Sequence, residues 1–399
     1  MTLVVVLSYV VLAAALVVFA ATMIILVEVV ASRRAMAKTD DNQVTVQEPL
    51  PRFAVLIPAH DEALGIAATL NNLRPQAGAE GRIVVVADNC SDETARIASQ
   101  AGAEVVVRTD ATRRGKGYAL DFGVRYLAAD PPEVVVIVDA DCALEPGSLA
   151  TIVSLSAQTG RPVQARYDFE RPPRMTGMAF ATFAARLKNY LRPLGLKQLG
   201  FPCALLGTGM AFPWRVIAHA NLASGEIVED MVLGLELARN GTPAIYCPQA
   251  LVRSYFPASV EGQSSQRARW ETGHLRTIVD RLPAMFWQAL RQGNLPAIAL
   301  ILDTAVPPLA LLAILIAGIG AVALGLALLG GPPAALIISL AAALVFTGSA
   351  LLAWMMVGRD VLSLQQLLMA PGYVLAKLAL YARVMIGKRV PWIRSKREE

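Results

Sequence analysis

Charge is scarce in this chain of 399 residues, and what there is lies unevenly: only 17% of residues are charged, with none in residues 3–27 and none in residues 304–358. Each stretch exceeds the roughly 20 apolar residues that cross a ~30 Å hydrocarbon core, and the second is long enough to cross twice. With 55% hydrophobic residues and a mean hydropathy of +0.50, an ordinary soluble enzyme is excluded. Cysteine is also sparse. Cys90, Cys142, Cys203 and Cys247 lie far apart with no Cys-x-x-Cys pair, which argues against zinc and against a disulfide framework and fits a reducing compartment. His60, His219 and His274 are equally scattered and form no ligand spacing. A basic n-region is missing before the first apolar run, and that run is too long for a signal-peptide h-region, so an uncleaved anchor is expected. There is no fixed-period repeat and no low-complexity tract.

The net charge of +5 suits loops held at an anionic cytoplasmic leaflet, and nucleic acid is not needed as a partner to explain it. Arg33, Arg34 and Lys38 come directly after the first apolar run and, by the positive-inside rule, place the next part of the chain in the cytosol. The chain is thus divided into a transmembrane helix (1–30), a linker (31–50), a cytosolic domain (51–280), an interfacial helix (281–295), two transmembrane helices (296–358) and a last segment (359–399). Gly330-Gly331-Pro332-Pro333 marks the turn between the two later spans, and Pro307-Pro308 is expected to kink the first of them. Leu282, Met285, Phe286 and Leu290 can share one helical face, which suits the membrane interface, with an ordinary surface helix as the other reading. Residues 361–386 are apolar but interrupted by Pro371, Gly372, Lys377 and Arg383. A crossing there would carry the basic end (Lys388, Arg389, Arg394, Lys396, Arg397) to the wrong side, so an interfacial or re-entrant helix is predicted.

Within the domain, apolar runs at 53–57, 83–87, 104–107 and 134–138 read as buried strands. They alternate with helical spacing near 64–73, 92–101 and 117–127. Such alternation predicts an α/β, Rossmann-like, mostly parallel sheet whose ligands bind at the carboxyl ends of its strands.

Polar residues after each strand are therefore the site candidates. Asp139-Ala140-Asp141 offers two carboxylates to one crevice, able to hold a divalent cation or, in the plainer reading, to cap the next helix. Asp88 can accept a hydrogen bond from a nucleoside, while Ser91 and Asp92 read as a helix N-cap and first turn. After the first strand, Glu62 is a candidate nucleotide contact and Asp61 the expected cap. Arg114-Gly115-Lys116-Gly117 sets flexible backbone and a cation before a helix, a setting for phosphate or simply a solvated turn. Glu229-Asp230 opens another helix, where adjacent carboxylates raise each other's pKa as a base near neutrality requires, or merely stabilise the helix start. On a helix Gln266 shares a face with Arg269 and Trp270, an amide, a guanidinium and an indole suited to sugar and diphosphate. A membrane-interface Trp beside Arg is the alternative there.

In this order, the Pro58-Ala59-x-x-Glu62 strand end, the Asp88 loop, Gly115-Lys116, Asp139-x-Asp141, Gly207-Thr208-Gly209, Glu229-Asp230 and Gln266-x-x-Arg269-Trp270 resemble the membrane-bound family 2 glycosyltransferases. That inverting group includes cellulose, chitin and hyaluronan synthases and many bacterial exopolysaccharide transferases. The likeness covers about residues 50 to 290 and implies a GT-A fold binding a nucleotide sugar, a UDP-sugar foremost. It implies Glu62 and Asp88 near the nucleoside, Lys116 near the diphosphate and Asp139 on the nucleotide or sugar side, with Asp141, beside Asp139, on Mg²⁺ or Mn²⁺. Asp230 becomes the general base and Glu229 its neighbour, while Gly207, Thr208, Gln266, Arg269 and Trp270 frame acceptor and diphosphate. Many relatives carry Asp-Asp-Gly-Ser where this chain has Ala87-Asp88-Asn89-Cys90, so one of two nucleoside acids is absent. The expected partners are a nucleotide sugar, a lipid-linked or saccharide acceptor, membrane lipids and a homo-oligomer. The expected activity is addition of one sugar at the plasma (inner) membrane in exopolysaccharide or cell-surface glycan synthesis. A processive β-polysaccharide synthase, or a catalytically silent membrane scaffold with a nucleotide-binding fold, are the other readings.

Overall fold

A computed structural model describes residues 2–37, 44–170, 178–256, 260–378 and 381. Helix α1 (Thr2–Ala37) is followed by β1 (Phe53–Ala59), α2 (Ile66–Ala77), β2 (Gly81–Asp88), α3 (Thr94–Gln100), β3 (Glu104–Arg108), α4 (Lys116–Leu127) and β4 (Val134–Ile137). Then come β5 (Cys142–Leu144), α5 (Ser148–Thr159), β6 (Val163–Glu170), α6 (Ala179–Arg186), a π-helical turn over Leu187–Leu191, α7 (Arg192–Gln198), β7 (Met210–Pro213), α8 (Trp214–Ile217), α9 (Glu229–Arg239) and β8 (Ile245–Tyr255). The chain continues through α10 (Val260–Arg276), a second π-helical turn (Thr277–Arg281), α11 (Leu282–Arg291), α12 (Leu295–Thr304), α13 (Leu309–Leu328), α14 (Ala334–Val357), α15 (Leu364–Leu368) and α16 (Ala370–Ala376).

The strands form one eight-stranded sheet in the order β3-β2-β1-β4-β7-β6-β8-β5. The run β3-β2-β1-β4 is parallel, as the near-continuous Val and Ile of these strands demand when both faces are covered. Strand β7 is antiparallel to both neighbours, and β5 to β8, while β6 and β8 run parallel. One face packs Val55, Ile57 and Val85 against Leu70 and Leu73 of α2 and Ile152 of α5. The other packs Leu56, Val84 and Val135 against Leu120 and Leu127 of α4 and Leu233 of α9. The sheet's carboxyl edge, at Ala59, Asp88 and Ile137, therefore opens on one side of the molecule.

Three helices, α1, α13 and α14, are long and apolar enough to cross a membrane. They pack on one another, and α1 packs on α7 as well. Helix α1 does not stop near residue 30 as expected but continues through exposed Arg33 and Arg34 to Ala37. Its last turns lie against α7, where Gly195 allows contact so close that a Cβ would stand 2.1 Å from the Glu28 carbonyl oxygen. At this junction Arg192 pairs with Glu28 at 2.6 Å and with Asp303 at 2.6 Å. This buried triad ties α7 to α1 and α12.

Pro307-Pro308 breaks the helix rather than kinking it. The residue before a proline is driven out of the helical region, and Pro308 itself is extended at ψ 137°, so α12 ends and α13 starts afresh. The first of the two later helices long and apolar enough to cross a membrane begins at Leu309. The Gly330–Pro333 turn is present, with Gly330 at φ +82°. In α11, Leu282, Met285 and Ala289 are buried against α9 and α12, whereas Leu290 is 49% exposed, so the apolar face predicted from spacing is split between protein and surroundings. The segment after Val357 forms the short helices α15 and α16 beside α13 and α6. Lys38, residues 39–43, residues 382–386 and the basic residues from Lys388 to Arg397 lie outside the described residues.

Candidate active site

The loops at the carboxyl ends of β1, β2 and β4 open into a cavity of about 1470 Å³ together with the starts of α4 and α9 and one face of α10. Asp88, the last residue of β2, is buried and sits beside Arg108 of β3 in parallel register. Arg108 Nη1 donates to its Oδ1 at 2.5 Å and Asn89 Nδ2 donates to the same oxygen at 3.0 Å. Arg108 also donates to the Arg113 carbonyl at 2.7 Å, so it holds the β3–α4 loop over the site. Glu62 lines the cavity, and its N–H donates to Thr94 Oγ1 at 2.7 Å.

Asp61 does not cap its own helix. With φ at +54° its carboxylate turns back to accept from the Ser91 N–H at 2.6 Å, tying the β1 loop to the β2 loop. Ser91 is consequently part of that tie and not an N-cap. Asp92 accepts from the Thr94 N–H at 3.0 Å at the entrance to α3, as its sequence position suggested.

The chemical centre is built around Lys116, the first residue of α4. Its Nζ lies 2.5 Å from Asp139 Oδ1 and 3.9 Å from Glu229 Oε1, and it donates to the Gly207 carbonyl at 2.8 Å. The Asp139 N–H donates to buried Thr208 Oγ1 at 3.1 Å. Gly207 has φ +88°, and a Cβ there would come within 3.2 Å of Asp230 Oδ2 and 3.3 Å of Lys116 Nζ. Asp139, Lys116, Gly207, Glu229 and Asp230 therefore meet in one place although they are drawn from four separate parts of the chain.

These groups line the cavity and are partly withdrawn from solvent, and their proton affinities reflect that. Burial lifts Glu229 to about 7, Lys116 pulling it down and Asp230 pushing it further up. Burial raises Asp230 and Asp139 too, again against the attraction of Lys116. For Lys116 itself burial acts downward, but Asp139 and Glu229 outweigh it and its pKa is raised, so it stays charged.

Asp139, Asp141 and Cys142 each bring one donor atom within 4.8 Å of the others. The two carboxylates are hard oxygen donors of the kind Mg²⁺ and Mn²⁺ take. The Cys142 thiol is buried and its pKa pushed well up by burial and then by Asp141, so it remains protonated and is no competing soft ligand. The residues present thus fit a hard divalent cation.

The far wall belongs to α10, whose Gln266, Arg269 and Trp270 line the same cavity. The Trp270 ring is 37% exposed and tilts against Phe169 at 5.8 Å, which stacks on Phe256 at 4.7 Å. Arg269 has its Nε buried with no hydrogen-bond partner among the described residues, and burial lowers its pKa against the attraction of Glu229. Every site residue named from the sequence lines this cavity except Thr208, which stands just behind Asp139. The sequence reading missed Arg108, whose only signal was a charge at the end of a strand, and Lys188 and Tyr373, which also face the cavity.

Comparison with known proteins identifies the family and the fold. Residues 51–273 match the family described as glycosyltransferase like family 2. Uncharacterized glycosyltransferases of Mycobacterium bovis and Mycobacterium tuberculosis are 31% identical to this chain over 34% of its length and 70% of theirs. Among solved structures, a mannosyltransferase of Pyrobaculum calidifontis in complex with GDP-Man and Mn²⁺ has the same fold, with a TM-score of 0.56 and 19% identity over 95% of this chain and all of that one.

Proposed function

Because the chain belongs to glycosyltransferase family 2 and has the GT-A fold, we propose that it is an inverting hexosyltransferase that moves one sugar from a UDP-sugar to a lipid-linked acceptor at the cytosolic face of the inner membrane. The observation that carries this reading is the meeting of Lys116, Asp139, Glu229 and Asp230 in a cavity whose walls include both the sheet's carboxyl edge and the start of α13. Arg33 and Arg34, exposed at the sheet end of α1, support the cytosolic side for the domain.

In the proposed reaction Asp230 takes the proton of an acceptor hydroxyl, and the acceptor oxygen attacks the anomeric carbon. The bond from that carbon to the diphosphate oxygen breaks, and its electron pair leaves with the nucleoside diphosphate. A single displacement turns an α-linked donor into a β-linked product. Burial raises the pKa of Asp230 against the pull of Lys116, which makes it a stronger base than a solvated aspartate. Lys116 and Arg269 stand ready to stabilise charge on the leaving diphosphate. Asp139 and Asp141 would hold Mg²⁺ or Mn²⁺, which supplies further neutralisation of the diphosphate when bound. Asp88, fixed by Arg108, and Glu62 would face the nucleoside, and Gln266 and Trp270 the acceptor.

The test is a donor screen: purified protein in native lipid extract, offered UDP- and GDP-sugars, should release nucleoside diphosphate only with Mg²⁺ or Mn²⁺ present. GDP-mannose belongs in the screen because the mannosyltransferase of the same fold is described with it. The Trp270–Phe169–Phe256 aromatic group gives some support to a processive synthase, since such a plate can carry a growing chain. Single-sugar products against a ladder of long chains decide between the two, and an absence of release with every donor would leave the silent scaffold.

A further inference from the structure

The cavity is larger than a nucleotide sugar requires, since small-molecule sites commonly span about 300–1,000 Å³ and this one is about 1470 Å³. Its extra volume runs away from Asp139 towards the apolar helices. There the walls are Leu309 and Ala313 of α13, Phe346 and Ala350 of α14, Leu367 of α15 and Val374 of α16. Two of these helices are long and apolar enough to span a membrane, so this half of the cavity is apolar where it meets α13 and α14.

At the boundary between the two halves stands Lys188, in the π-helical turn Leu187–Leu191. π-helical turns are rare and collect at functional sites because they re-aim a side chain. The side chain of Lys188 is exposed into the cavity, and among the described residues it has no hydrogen bond and no ion pair. Its charged neighbours on the surrounding elements have partners of their own, except that Glu271 Oε2 is buried with none among the described residues. Arg192 is held by Glu28 and Asp303, Glu271 by Lys377 at 3.2 Å, and the His274 Nε2–H donates to the Thr304 carbonyl at 2.7 Å. Asp230 of α9, which attracts it, also faces the Lys116 ammonium. An ammonium that lines the cavity with no ion pair among the described residues, set between the base and an apolar passage, is a site for an anion that carries a hydrocarbon chain.

Resting on the transferase reading, we propose that Lys188 binds the phosphate of an amphipathic acceptor whose chain lies between α13 and α14 and whose hydroxyl meets Asp230. Lys188 falls in none of the sequence motifs, and it would select the acceptor class, a lipid phosphate over a neutral lipid or a soluble phosphate.

The test uses the full chain in neutral detergent with UDP and Mn²⁺ present to fill the donor side, and dodecyl phosphate as probe. Binding is read from the rise of the thermal midpoint with probe concentration. Dodecyl phosphate should bind the wild type and Lys188→Arg similarly and Lys188→Met at least about tenfold more weakly, while the midpoint without probe is the same in all three. Inorganic phosphate and dodecanol should not distinguish the variants. Equal affinity of Lys188→Met, or an equal response to inorganic phosphate, overturns the proposal. The readout needs no turnover, so a failed donor screen and a failed Lys188 site are told apart.

Discussion

Lys116 and Gly207, 91 positions apart in the chain, meet where the lysine ammonium donates to the glycine carbonyl at 2.8 Å. This contact joins the start of α4 to the loop before β7, and between them it fixes where Asp139 and Asp230 face each other. The backbone of Gly207 is left-handed, and the space a side chain would need is already taken by the Asp230 carboxylate and the Lys116 ammonium.

Gly207→Ala should therefore cost about 1–2 kcal/mol in backbone conformation and displace the base as well. The expected result is a fall in kcat of at least about tenfold with a smaller change in donor KM. A variant with wild-type kcat would mean that this contact does not position Asp230.

Lys116→Met removes the cation that holds down Asp139, Glu229 and Asp230, so their pKa values should rise further. A base with a higher pKa is protonated over a wider range, and the acid limb of the pH–rate profile should move to higher pH. Nucleoside diphosphate affinity should also drop by about tenfold or more. An unmoved limb would place the working base elsewhere.

Arg108→Ala leaves the buried Asp88 carboxylate without its 2.5 Å partner. Breaking a buried pair in this way costs about 3–5 kcal/mol, so the thermal midpoint should fall clearly and the donor KM rise. Arg108→Ala paired with Asp88→Asn should recover part of the midpoint but not the KM, which separates Asp88's contribution to the fold from its role towards the nucleoside.

His274 gives a stability prediction with a definite sign. Burial, reinforced by Lys188 and opposed by the hydrogen bond to Thr304, pushes its pKa down to about 3. The unfolded chain takes up this proton near 6.5 and the folded chain only near 3. Stability is thus fully present above about pH 6.5 and lost as pH falls towards about 3, by about 1.4 kcal/mol per unit for this one group. The thermal midpoint of the wild type should drop between about pH 7 and about pH 5 by more than that of His274→Gln. Equal drops would show that His274 takes up its proton in the folded state as readily as in the unfolded one.

The parallel half of the sheet was readable because β1, β2 and β4 are runs of Val, Ile and Leu that end on polar residues, and a strand end is where such a fold binds ligands. Asp88, Asp139 and Asp141 could be picked out by that rule. Strands β5 to β8 were not read: β5 has three residues, and β8 carries Pro248 and Gln249 at the point where its register with β6 shifts. Their pairing depends on partners far along the chain, which local periodicity does not carry. Arg108 was missed because its meaning comes from the register of β2 with β3, and Lys188 because a helical lysine looks solvated until the cavity around it is seen. The Pro307-Pro308 break was legible as an interruption, though its severity depended on both prolines acting together on one turn.

Base catalysis by Asp230 is tested most directly by single-turnover transfer from a labelled nucleotide sugar to native lipid extract by Asp230→Asn, run beside donor binding by the same protein. The expected rate is lower by about 10³-fold, within the range removed with a general base, and the expected donor affinity is within about twofold of wild type. Transfer within about tenfold of wild type by folded Asp230→Asn would contradict the assignment.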